Sequence, residues 1–214
     1  MAVSCCPRCE LERERARVAD SRLWESGGFQ RYAGLLDEHT LEALRSEAFS
    51  GIPRHDVQPA GQDQEQVRGG MPGRSFFSVN GGRVQTHLFG SPALHDFVST
   101  RVGRAARPLG ARGTFSIYTG GAHLDVHRDI PGCDLALITC LYDSQSDDAD
   151  AALEVWAEDV HTPLAQLAAS ERQPTRVPLA VGQSLLLHGG VLPHRVRKLE
   201  RDRLRVVSLM CFAC

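Results

Sequence analysis

The chain has one lysine, Lys198, among 24 basic residues, so its positive charge is carried almost wholly by arginine. With a net charge of −2 and no basic block, it lacks the electrostatic footprint that draws a protein onto a nucleic-acid backbone. Aromatic residues are only 6% of the chain, too few for a surface on which bases stack. No apolar run approaches the ~20 residues that span a bilayer. The N-terminal "MAVSCCPRCELERERARV" also lacks the apolar stretch of a secretion signal. A soluble, cytoplasmic protein with no membrane or nucleic-acid partner is expected. There, Cys5, Cys6, Cys9, Cys133, Cys140, Cys211 and Cys214 are expected as thiols or metal ligands, not disulfides.

Apolar residues at 42% and charged residues at 23% are near the globular average, which excludes wholesale disorder. Residues 1–26 read as a Cys-containing extension with a charged leader helix over 8–23. Residues 27–214 read as one domain. A short strand enters "LLDEHTLEALRSEA", where Leu41, Leu44 and Ala48 form one apolar stripe and Asp37 or Thr40 can cap the helix. Residues 50–75 are polar and rich in Gly, Pro and Gln, which marks a lid loop. Ser91-Pro92 starts a second helix over 91–106. From about 113 onward the chain alternates short β-rich runs with turns: "GTFSIYTG", "AHLDVHRD", "DLALITCLYD", "AALEVWAED", "TRVPLAV", "QSLLLHG" and "RLRVVSLMCF". Seven strands at that spacing, with flanking helices, predict a mostly β sandwich or jelly-roll (cupin-like) barrel. The acidic "DSQSDDADA" over 143–151 reads as a solvated hairpin tip.

The chemistry is concentrated in "GAHLDVHRD", where His-x-Asp occurs twice, as His123/Asp125 and His127/Asp129. Residues i and i+2 of a strand share a face, so either pair can offer two ligands to one ion. About 0.6 such pairs are expected by chance, so the motif needs context. Downstream, His188 and His194 can each complete a set of two histidines and one carboxylate, which suits non-haem Fe(II). Arg203 and Arg205 then follow on a β-run, and guanidinium matches a carboxylate with two parallel hydrogen bonds.

With these pieces in order, residues 28–212 resemble the Fe(II)- and 2-oxoglutarate-dependent dioxygenases, especially short prolyl-hydroxylase-like members. "YTGGAHLDVHRD" is similar to that family's Tyr–Gly–His-x-Asp stretch, and "VPLAVGQSLLLHGGVLPHRV" to the run before its distal ligand. The paired glycines usual before "LEVW" are replaced by Ala151-Ala152. The resemblance implies a double-stranded β-helix and selects His127, Asp129 and His194 as the Fe(II) ligands, since Tyr118 precedes His127 by nine residues. It further implies that Arg203 or Arg205, with Tyr118, holds the 2-oxoglutarate co-substrate. With O₂, a C–H bond of a small polar molecule is hydroxylated while 2-oxoglutarate is decarboxylated to succinate. The presence of Asp129 disfavours halogenation, because that branch lacks the carboxylate.

His123 and Asp125, on the same inward face as His127, are then candidates for substrate contact, as is Arg74 on the loop. The alternatives are a hydroxylase of peptide or protein side chains, a non-catalytic cupin-like metal-binding or sensor protein, and a non-redox metal enzyme on the same barrel. A separate expectation concerns "CPRC" and "CFAC": Cys6, Cys9, Cys211 and Cys214 form two C-x-x-C pairs that can hold a structural zinc.

Overall fold

The computed structural model describes residues 12, 16, 19, 21–51, 58–60, 72–111, 113–145 and 153–214. Most of the leader helix expected up to residue 20, Cys5, Cys6, Cys9, most of the 50–75 lid and the hairpin tip beyond Gln145 lie outside them.

The seven expected β-runs are all strands. They are β5 (Thr114–Tyr118), β6 (His123–His127), β7 (Leu135–Asp143), β8 (Leu153–Val155), β9 (Thr175–Val177), β10 (Ser184–Leu187) and β12 (Arg205–Ala213). The anticipated entry strand is β1 (Phe29–Tyr32). Four further strands were not anticipated: β2 (Gln58–Ala60), β3 (Arg74–Asn80), β4 (Arg107–Pro108) and β11 (His194–Val196). β2 and β3 pair with each other, so the segment read as a loop carries a strand and runs into another.

All pairings are antiparallel, and the order is β1-β10-β7-β12-β5-β3-β6-β11-β8-β9. β3 is the seam. Its later residues pair with β5, whereas Arg74 and Ser75 pair with Leu124 and His123 of β6. One strand shared by two sheets curls the whole into a double-stranded β-helix, as expected.

Period-2 alternation assigns the two faces of the larger sheet. Phe115 and Ile117 face outward onto α2 (Glu38–Gly51), whose Leu41, Leu44 and Ala48 are buried against them. Asp37 caps that helix by accepting from the Thr40 backbone N–H at 2.7 Å. Burying a leucine such as Leu44 is worth about 2 kcal/mol. Farther along, α4 (Pro92–Val102) starts at Pro92 and buries Leu94, Val98 and Val102, and Gly103 ends it in a left-handed turn. Among the described residues there are also three shorter helices: α1 (Arg22–Glu25), α3 (Arg83–Phe89) and α5 (Leu164–Ala168). With one face shielded by helices, the inner face is left to the cavity. No helix among the described residues is long and apolar enough to cross a membrane.

Cys133 and Cys211 form a disulfide between the turn after β6 and the last strand. This corrects the expectation that the cysteines stay apart as thiols or ligands. It also removes Cys211 from the four-cysteine zinc set, because a disulfide sulfur is no thiolate ligand. The adjacency arises because Asp134 N–H bonds to Phe212 O, which draws the 133–134 turn alongside β12. Nothing in the spacing of the cysteines announces that.

Candidate metal centre

β6 and β11 lie side by side, with His127 opposite His194 and Leu124 opposite Val196. Two residues of β6, Asp125 and Val126, thus face the single Arg195 of β11, a β-bulge that breaks strict alternation. The bulge decides which His-x-Asp pair faces inward. Leu124 and His127 both line a cavity of about 80 Å³ together with Asp129 and His194. His123 and Asp125 do not line it. Asp125 is exposed, and both side chains lie beside Gly73, where an added Cβ would touch Asp125 Oδ2. The expectation that His123 and Asp125 share the inward face of His127 is therefore corrected. Simple i, i+2 counting fails wherever an extra residue is inserted.

His127, Asp129 and His194 are the one group of three potential metal-ligating side chains among the described residues, their donor atoms all within 4.8 Å of one another. His127 Nδ1 and His194 Nδ1 each lie 2.9 Å from a backbone carbonyl, of Asp125 and Leu192 respectively. A carbonyl only accepts, so each Nδ1 carries a proton, and each Nε2 is left to donate to Asp129 when protonated or to present a lone pair to a metal when not. Both Nε2 atoms face Asp129 Oδ1, at 3.6 Å and 3.5 Å. Burial alone would raise the Asp129 pKa, but the His194 charge and hydrogen bonds from both histidines hold it well below the carboxylate range. For His127, burial and the neighbouring His194 push the pKa down. For His194, burial pulls down but Asp129 overcomes it and raises the pKa. One carboxylate between two buried imidazoles is a cation-shaped arrangement, and this donor set fits a divalent transition metal with open positions.

Room for the carboxylate is made by Gly189. Its carbonyl accepts from Asp129 N–H at 2.8 Å, and a Cβ on it would overlap Asp129 Oδ2. Gly189→Ala should therefore weaken Co(II) binding by about 10- to 100-fold. An unchanged titration would show that the carboxylate has other space to occupy.

Farther into the cavity, Arg205 of β12 is opposite Tyr118 of β5 and Asp143 of β7. Arg205 and Tyr118 both line the cavity, whereas Arg203 does not. Arg203 instead grips Asp143 with two hydrogen bonds of 2.9 Å and 2.8 Å, and Arg205 Nη1 donates to the same carboxylate at 2.6 Å. Asp143 was read as the start of a solvated tip. It is a buried anion between two arginines, and the Arg203 and Arg205 partners, outweighing burial, hold its pKa down. Tyr118 stacks on Phe76 at 4.8 Å, and burial keeps its hydroxyl protonated far above neutrality. Arg74 is half-buried at the β3–β6 junction, opposite the cavity-lining Leu124.

His188 is not part of this centre. It is fully buried with Nε2 3.2 Å from Ser21 Oγ, its ring edge towards Trp24, and its Nδ1 unpartnered among the described residues. Burial first, and the Arg104 charge second, push its pKa down to about 3. The unfolded chain takes up that proton near pH 6.5, the folded one only near 3. Its stabilising contribution is thus fully present above pH 6.5 and is lost as pH falls through that window, by on the order of a few kcal/mol. In the metal-free protein, His188→Phe should flatten the decline of the urea midpoint between pH 7 and pH 4. An identical decline in both proteins would assign the acid sensitivity elsewhere.

No family model matches the chain, and neither does any curated protein. Solved structures do. A Pseudomonas putida prolyl-4-hydroxylase superposes with a TM-score of 0.60 at 17% identity, covering 95% of this chain and 99% of that one. A Trichoplax adhaerens prolyl hydroxylase, solved with a hypoxia-inducible-factor peptide fragment, gives 0.61 at 14% identity over 99% and 94%. HygX from Streptomyces hygroscopicus, solved with nickel, 2-oxoglutarate and hygromycin B, gives 0.60 at 16% identity over 94% and 86%. This chain shares the double-stranded β-helix fold of these structures.

Proposed function

We propose that the chain is an Fe(II)- and 2-oxoglutarate-dependent oxygenase that hydroxylates a C–H bond of a small polar molecule. The carrying observation is one cavity lined at once by His127, Asp129 and His194, by Arg205 and by Tyr118. In this reading, the first three hold Fe(II) as a facial set. Arg205, oriented by Asp143, pairs with the distal carboxylate of 2-oxoglutarate, and the neutral Tyr118 hydroxyl donates a second hydrogen bond to it. When bound, Fe(II) with 2-oxoglutarate and O₂ supplies oxidative decarboxylation coupled to C–H oxidation. The protein supplies geometry and a dry wall: Ile138, Leu153, Leu179, Val196 and Val207 also line the cavity and exclude water. Arg74, His123 and Asp125, gathered where β3 meets β6, are the polar groups assigned here to substrate recognition. A HygX-like small ligand supports this choice, and a peptide is the rival drawn from the prolyl hydroxylases.

The test is anaerobic Fe(II) titration with and without 2-oxoglutarate, followed by O₂ and a succinate assay. Small polar metabolites and proline-containing peptides form the two substrate arms. A visible-spectrum change on adding 2-oxoglutarate, and succinate formed with a small molecule, is the expected result. Metal binding with no response to 2-oxoglutarate would instead mark a cupin-like metal-binding protein or a non-redox metal enzyme.

A further inference from the structure

Arg128 stands between the two strand ligands His127 and Asp129, yet its side chain turns away from the cavity and is only 5% exposed. Its Nε donates to Val191 O at 3.0 Å, and its Nη2 donates to Val160 O at 2.8 Å and Thr162 O at 3.2 Å. These acceptors belong to two separate stretches of chain. Val191 lies in the turn that begins at His188 and delivers His194, where the Val191 and Leu192 N–H groups bond back to His188 O. Leu192 in the same turn supplies the carbonyl that orients the His194 ring. Val160 and Thr162 lie between β8 and α5, a segment tied to the same turn by Trp156 N–H bonding to Pro193 O.

A planar guanidinium with five fixed donors is the side chain suited to hold three carbonyls at once. Lysine, a flexible point charge, cannot reproduce that fork. We infer that Arg128 is a positioning residue, a buried clamp that fixes the His127/Asp129 end of β6 against the turn carrying His194, so that the three ligands are spaced before metal enters. The inference rests on the metal-site reading above and goes beyond it by naming what sets the ligand spacing. Supporting residues of this kind typically change metal affinity by about 10- to 100-fold when removed.

The test uses Co(II) as the probe on the full chain, with Arg128→Ala and Arg128→Lys beside the unsubstituted protein. Far-UV circular dichroism and a urea melt of each metal-free protein report folding. Co(II) titration and the intensity and position of its visible bands report the ligand set. Both variants are expected to bind Co(II) about 10- to 100-fold more weakly, with altered bands, and low-millimolar guanidinium should restore part of the affinity in Arg128→Ala but not in Arg128→Lys. Should Arg128→Ala fail to fold, the Arg128→Lys titration decides alone. Unsubstituted affinity and bands in Arg128→Lys would overturn the clamp. So would an affinity loss in Arg128→Ala that guanidinium leaves untouched. If the unsubstituted protein itself does not bind Co(II), the metal reading falls and the clamp falls with it. If it binds and the variants match it, only the clamp is lost.

Discussion

His127→Ala should reduce Co(II) affinity on the order of 10³-fold, while His123→Ala should leave it within about threefold. The two substitutions delete the same side chain from the same strand, four residues apart, so composition and strand propensity cancel between them. What differs is the bulge opposite β11, which directs His127 into the cavity with its Nδ1 proton already given to Asp125 O. His123 has no such lock: its Nδ1 is 3.5 Å from Gly121 O and it lies away from the cavity lining. Removing His127 leaves Asp129 and His194, and two ligands do not make a facial set. Titrating both variants under anaerobic conditions checks this. Loss of binding in His123→Ala with retention in His127→Ala would mean that the first His-x-Asp pair holds the metal.

Arg205→Met should raise the 2-oxoglutarate dissociation constant roughly 100-fold, about 3 kcal/mol, with Co(II) binding preserved. Arg203→Met should leave that constant within about threefold and instead lower stability by about 2 kcal/mol. Both arginines reach Asp143, but only Arg205 also lines the cavity. Removing Arg205 takes a cation from the space assigned to the co-substrate. Removing Arg203 takes two hydrogen bonds from a buried carboxylate that keeps its other partner. Equilibrium binding of 2-oxoglutarate to the Co(II)-loaded variants, beside urea melts of the metal-free ones, separates the outcomes. A large affinity loss in Arg203→Met with none in Arg205→Met would exchange their roles.

Much of the fold is legible in the sequence alone. The seven β-runs stand out because they alternate or run apolar between Gly, Pro and Asp turns, and the Leu41–Leu44–Ala48 stripe has helical spacing. β3 was missed because Phe76 and Phe77 are adjacent apolar residues pointing to opposite sides, one onto Tyr118 and the other 40% exposed. β11 was missed because it is three residues long and starts straight after Pro193. The bulge in β6 has no signature within β6 itself, since it is a property of its pairing with β11. The same holds for Asp143, which looks like the edge of an acidic tip until Arg203 and Arg205, at least sixty residues downstream, close on it. Arg128 was overlooked as the variable residue of a motif, its side chain pointing opposite to the two that drew attention. Gly189 was visible as a turn glycine, but its need to be glycine comes from a carboxylate sixty residues upstream in sequence.

The bridge from Cys133 to Cys211 closes a covalent ring across 78 residues of sequence. His194 and Arg205 lie inside the ring, whereas Tyr118, His127 and Asp129 lie outside it. A single protease cut anywhere within the ring therefore leaves one molecule of unchanged mass on a non-reducing gel, apart from the added water. Only when a thiol reductant is present do two fragments separate, and a cut before Arg205 then divides the site between them.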